Sequence, residues 1–128
     1  MAFFTTTAVA LTAYEHWLAR QPLSAHTRRT YLTQVRRYCA YLSTFHWEDG
    51  HPLQESHARD YAVRDYKTAL KVVHHAKPSS VNLGLAAVDH FYRFLELPPP
   101  QVTREDLPAQ APRALEPPEQ KRFLALEY

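Results

Sequence analysis

Residues 24–45 read SAHTRRTYLTQVRRYCAYLSTF, and their spacing decides the fold. Tyr31, Val35, Tyr38, Leu42 and Phe45 recur at intervals of four and three, the period that puts side chains on one face of a helix. Ser24 precedes the run as an N-cap, its hydroxyl able to accept from a free N–H of the first turn. Arg29 and Arg36 fall opposite the apolar stripe and Arg28 and Arg37 on its flanks, so the stretch predicts an amphipathic helix with a basic outer face.

The flanking segments carry the same period. Leu11, Tyr14 and Leu18 predict a first helix from about Thr7 to Arg20, closed by Pro22. Ala58, Ala62, Tyr66, Ala69 and Val73 predict a third from about Ser56 to His75, with Arg64, Lys67, Lys71 and His75 on its other side. A fourth is expected after Pro78, capped by Ser79 or Ser80. Its apolar set (Val81, Leu83, Leu85, Val88, Phe91, Tyr92, Phe94, Leu95) covers more than half the circumference and makes it the most buried. Its polar strip is Asn82, Asp89, His90 and Arg93, with Ala86 between them. No strand signal or internal repeat competes. With two glycines against ten prolines, a turn-rich β-sandwich is excluded. The expected class is all-α, a four-helix arrangement in one domain of ordinary size, the chain having 128 residues.

Proline marks the boundary. Seven of the ten prolines follow Leu97, and Pro98, Pro99 and Pro100 cannot continue a helix. A helical domain over 1–97, a proline-rich spacer over 98–115 and the first helix of a further domain over 116–128 are expected. Pro117 and Pro118 would lie in that last helix's first turn, and its Phe123, Leu124 and Leu126 have no core of their own, as if the chain stopped just inside a second domain. Charge divides at the same place. Residues 1–95 hold 11 Lys/Arg against 7 Asp/Glu, and residues 96–128 hold 4 against 6, within an overall net charge of +2.

Several chemistries are excluded by inventory. Cys39 is the only cysteine, so there is no internal disulfide and no cysteine-based zinc site. The eight histidines follow no metal motif, since His74 and His75 point to different sides of a helix and His46, His51 and His57 lie in or beside a loop. No phosphate loop, nucleophile elbow or HExxH occurs, and no metal or cofactor is expected. Met1 to Tyr14 lacks a basic leader and is interrupted by threonines, so neither signal peptide nor membrane span is read, and a cytoplasmic location is expected. What remains is the pair of basic helix faces, with Thr27, Thr30, Gln34, Ser79 and Asn82 beside them. Such faces offer charge and donors to phosphate oxygens, or are simply solvated; the charge pattern leaves both open.

Three short patterns carry a resemblance. Ser24-Ala25-His26-Thr27-Arg28-Arg29-Thr30-Tyr31 resembles the S-x-x-T-x-x-x-Y opening of the core-binding, SAM-like domain of tyrosine recombinases, the phage integrase family. Lys77-Pro78-Ser79-Ser80-Val81-Asn82, leading to Phe91-Tyr92-Arg93-Phe94-Leu95, is similar to that domain's last helix. Pro112-Arg113-Ala114-Leu115-Glu116-Pro117-Pro118-Glu119 looks like the entry to the catalytic domain. The resemblance implies two crossed helical hairpins that grip one side of duplex DNA while the catalytic domain grips the other. The partners it implies are double-stranded DNA and other recombinase protomers, with no membrane. It also implies groove contacts by the second and fourth helices, through Thr27, Arg28, Arg29, Gln34 and Arg36, and through Lys77, Ser79, Ser80, Asn82, His90 and Arg93. Arg64, Lys67 and Lys71 would add phosphate contacts. Asn82 and Arg93 are the residue types suited to reading bases. Where family members often carry arginines, the last helix has Leu83, Gly84 and Asp89.

The family's catalytic arginine, lysine, His-x-x-Arg pair and tyrosine nucleophile belong to the other domain, so this stretch alone is expected to bind DNA without cutting it. His26-x-x-Arg29 and His90-x-x-Arg93 match the pair in form, but roughly 0.7 such matches arise by chance in this composition. Neither is assigned to catalysis, and Tyr31, Tyr38 and Tyr66 read as core or groove-edge aromatics, the core reading being favoured. The alternatives are a helical protein-interaction module and a helix-turn-helix regulator. The second lacks the short glycine-containing turn, and its fourth helix is too apolar to lie wholly in a groove.

Overall fold

The computed structural model describes residues 6–45, 47 and 50–107. Among them are four helices and no strand: α1 (Thr7–Leu18), α2 (Ala25–Leu42), α3 (Ser56–Val72) and α4 (Pro78–Phe94). The first two begin on side-chain caps, Thr6 accepting from the Val9 N–H at 3.1 Å and Ser24 from the Thr27 N–H at 3.0 Å. α4 begins differently from the expectation. Lys77 is its cap residue and Pro78 lies in the first turn, so Ser79 and Ser80 are inside the helix. The physical reason is that proline has no N–H to leave unpaired and holds a helical φ, which makes it a helix starter.

α2 packs on the other three helices, and α4, the helix with the most buried side chains, packs on α2 and α3. Val81, Leu85, Val88, Phe91, Tyr92 and Leu95 are buried, meeting Tyr14, Val35, Tyr38, Leu42, Tyr66 and Leu70 from the other helices. At Gly84 the neighbouring helices come close, and an added Cβ would stand 3.3 Å from Leu70 Cδ1 and 3.5 Å from Gln34 Oε1. The Tyr38 and Tyr92 hydroxyls bond each other at 2.7 Å inside the core. Tyr31 is half-buried.

Two ends of the expected apolar stripes lie in solvent. α2 stops at Leu42, so Phe45 is beyond it, 43% exposed, with its ring edge-on to Tyr41 and tilted against Trp47 at the rim of the core. α3 stops at Val72, leaving Val73 67% exposed. His75 takes a left-handed φ of 52° there, and the Ala76 N–H reaches back to the Leu70 carbonyl, which closes the helix as a glycine cap would. Val63 and Leu70 fill the buried face together with Ala58, Ala62 and Tyr66, and Ala69 is half-buried.

That face also holds Arg59, only 2% exposed. Its Nε donates to the Pro52 carbonyl at 2.9 Å and an Nη to the Pro98 carbonyl at 3.2 Å, with the guanidinium 5.2 Å from the Tyr92 ring centre. Arg59 thereby ties the loop before α3 to the chain after α4. From there residues 98–107 run without helix across α3 and α4, Pro100 buried and Val102 half-buried on the core. The helix expected over 116–128 lies outside the described residues.

Candidate nucleic-acid interface

Lys67 and Lys71 are one turn apart on α3, and Asn82 stands on the neighbouring α4. The three converge on Glu105. Both ammonium groups lie 3.1 Å from Glu105 Oε2, and Lys67 also donates to the Thr103 carbonyl. Hydrogen bonds from Lys67 and Lys71 hold the Glu105 carboxyl below its ordinary pKa. Asn82 Nδ2 donates to the Glu105 carbonyl at 3.0 Å, and its Oδ1 accepts from the Glu105 N–H at 2.8 Å. Beside this cluster Arg104 donates to Asp89 Oδ2 at 2.8 Å. The groove between α3 and α4 therefore presents two cations for an oxyanion and one amide for a paired donor and acceptor.

α2 offers a second, open surface. Arg29, Thr33, Arg36 and Arg37 are exposed along it. Arg36 pairs with Glu15 of α1 at 3.2 Å, and both side chains stay about half exposed to water. Arg28 is turned inward, its guanidinium donating to the Gln21 carbonyl at 3.1 Å and to the Leu23 carbonyl, so it holds the α1–α2 connection. Thr27 is engaged in the cap, with its hydroxyl 3.0 Å from that of Ser24. Gln34 is half-buried near Gly84.

The other expected contacts are spread along α4 and α3. Lys77, Ser79 and Ser80 are exposed at the start of α4 and Arg93 at its end, while Arg64 is exposed on α3. His90 is half-buried among aromatic rings, 5.3 Å from Trp17 and 5.0 Å from Tyr31 between ring centres, and its Nδ1 lies 2.9 Å from the Tyr14 hydroxyl. Burial, reinforced by Arg93, pushes the His90 pKa down, and burial pushes that of Tyr14 up. Both rings are neutral at physiological pH. Burial likewise pushes the Cys39 thiol up to about 12, far from a reactive thiolate.

The structure brings Lys67, Lys71 and Asn82 together and leaves Arg29 and Arg36 on a separate face. Sequence reading missed Glu105 and Arg104 at the groove, and also the buried Arg59 that holds the Pro98 carbonyl upstream of them. Arg59 had a signal, because it lies on the apolar side of α3 three residues before Ala62. Among the described residues no three His, Cys, Asp or Glu side chains gather as a metal site, and no helix is long and apolar enough to cross a membrane.

A family model, the phage integrase N-terminal SAM-like domain, matches residues 11–97. The chain belongs to that family. The matched span runs from within α1 to just past α4 and takes in Lys67, Lys71 and Asn82, while Glu105 lies beyond it. Comparison with curated proteins and with solved structures gives no match.

Proposed function

We propose that this integrase-family domain is the DNA-binding half of a site-specific tyrosine recombinase, holding one side of a duplex during integration or recombination. The observation that carries the reading is the family match over 11–97, which contains both basic faces. The exposed Arg29 and Arg36 on α2 supply sequence-independent phosphate contacts, and Lys77 adds charge at the start of α4, where free N–H groups also favour anions. Asn82 and Arg93 on α4 read bases. Residues 1–97 form the binding domain, 98–115 connect it to the catalytic domain, and 116–128 begin that domain. The partners are double-stranded DNA and further recombinase protomers. No catalytic role falls to His26, Arg29, His90 or Arg93, and strand cleavage belongs to the parent protein's other domain.

Fluorescence anisotropy of a labelled duplex of about 30 base pairs, at two salt concentrations, tests this. The expected result is a Kd in the range of about 10⁻⁴ to 10⁻⁶ M that weakens steeply with salt. Arg29→Ala should weaken binding to every sequence and lower the salt slope by about 1. Absence of binding at low salt by the folded chain would transfer the reading to a protein-interaction module.

A further inference from the structure

We propose that residues 101–105 are a built-in competitor for DNA, occupying the α3–α4 groove with groups that imitate a nucleotide. The proposal rests on the DNA-binding reading above and adds how the groove is regulated. Its first observation is chemical. The Glu105 carboxylate sits where a phosphate oxygen would sit, 3.1 Å from both Lys67 and Lys71. Its second is the peptide of the same residue: one N–H and one C=O, both bonded by the Asn82 amide at 2.8 and 3.0 Å. A bidentate donor–acceptor pair is what an asparagine finds on the edge of adenine. One residue thus saturates the two lysines and the α4 amide together.

The contact is more than a stray surface pair. Lys67 and Glu105 side chains are 17% and 19% exposed, so water has limited access to that bond, while Lys71 meets the same oxygen with its side chain 47% exposed. The segment is tied at several further points, with the Gln101 N–H donating to Asp60 Oδ1 at 2.9 Å and Arg104 bonded to Asp89. Upstream, Arg59 fixes the Pro98 carbonyl and so sets where the segment leaves the bundle. None of these bonds is covalent or deeply buried, and the segment holds no helix that would have to melt. DNA displaces it by exchanging one anion for another at the lysines. In the free chain α2 is open and this part of α4 is covered.

The test compares Glu105→Gln with Asp106→Asn in the full chain, using the same labelled duplex at low salt. Both substitutions remove one negative charge from adjacent positions, but only Glu105 holds the groove. Glu105→Gln is expected to tighten binding about threefold to tenfold and Asp106→Asn by less than about twofold, given the usual strength of partly exposed ion pairs. Equal effects of the two, with wild type binding normally, overturn the competition and leave the DNA reading standing. No binding by any of the three chains overturns both. Hydrogen exchange at the Glu105 amide gives an independent readout. Its protection by Asn82 is expected to fall when the chain is saturated with DNA, and unchanged protection overturns the proposal.

Discussion

Replacing Arg59 tests how the bundle tolerates a charge in its interior. The guanidinium donates to two carbonyls, Pro52 and Pro98, and lies over the Tyr92 ring. Hydrogen bonds from a charged group contribute about 1.5–3 kcal/mol each, and a desolvated cation over an aromatic ring about 2. Against these stands the cost of taking the guanidinium out of water, several kcal/mol. Arg59→Ala removes the bonds, strands the carbonyls and leaves a void where the stem was. The net loss expected is about 3 kcal/mol, the size seen when buried polar networks are broken. For a unit of about 100 residues that lowers Tm by roughly 12–24 °C. Arg59→Met keeps most of the stem and removes the charge together with its desolvation cost, so it should lose only about 1–2 kcal/mol. Urea unfolding followed by far-UV circular dichroism measures both. A loss below about 1 kcal/mol for Arg59→Ala at unchanged m would refute the reasoning, because it would mean that the two carbonyl bonds barely offset desolvation.

Gly84→Ala should stay within about 1 kcal/mol of wild type in the same unfolding assay. The helix-propensity gain of about 1 kcal/mol opposes a 3.3 Å contact with the terminal methyl of the buried Leu70, whereas Gly84→Leu should cost about 2–3 kcal/mol by overpacking. His90 makes stability depend on pH. Its folded pKa is depressed by burial and Arg93, so between that value and the unfolded one near 6.5 the unfolded chain binds more protons and stability rises with pH. Tm should therefore fall as pH is lowered from about 6.5 to 5, and less so in His90→Gln. The dependence remaining in that variant is assigned to His51, whose pKa burial depresses in the same direction, and toward pH 5 to Glu105, whose carboxyl Lys67 and Lys71 hold down. A pH profile unchanged by the substitution would rule out His90 as a source.

The helices were legible because their determinants are local. The Ser24 cap, the four-and-three spacing through Tyr31, Val35, Tyr38 and Leu42, and the excess of apolar residues after Pro78 all act within a few turns. Errors came where a local signal had two readings. Pro78 followed by two serines offers either a serine cap or a proline start. α3 ends at Val72 and is closed off by His75, three residues on, in a conformation usually marked by glycine, so Val73 continues the apolar spacing for one residue after the helix has ended. The groove was hidden for a different reason. Its partners are separated by more than twenty residues, Asn82 from Glu105 and Lys67 from Thr103, and hydrogen bonds across such distances leave no periodicity. Lys67, Lys71 and Asn82 could be marked as polar and basic, but their convergence depends on how α3 packs on α4.

Charge matching along the groove bears on how easily it opens. The segment places Arg104 on Asp89 and Glu105 on Lys67 and Lys71, so adjacent residues of opposite sign each meet their complement. A purely acidic segment would be held by net attraction to a basic face, and salt would loosen it in the same proportion as it loosens DNA. This one carries no net charge across those two residues, and its hold depends on register. On the proposed reading DNA would substitute for the Glu105 half alone. Were Arg104 displaced, Asp89 would lose its cation, and a carboxylate facing the duplex would repel phosphate but could accept from the amino group of cytosine. Opening the groove thus gains two lysines for DNA and uncovers one acid. On the proposed reading the second effect would oppose non-specific binding and favour sites that give Asp89 a donor, so a face closed by a charge-matched segment would discriminate more among sequences than the open arginine face of α2.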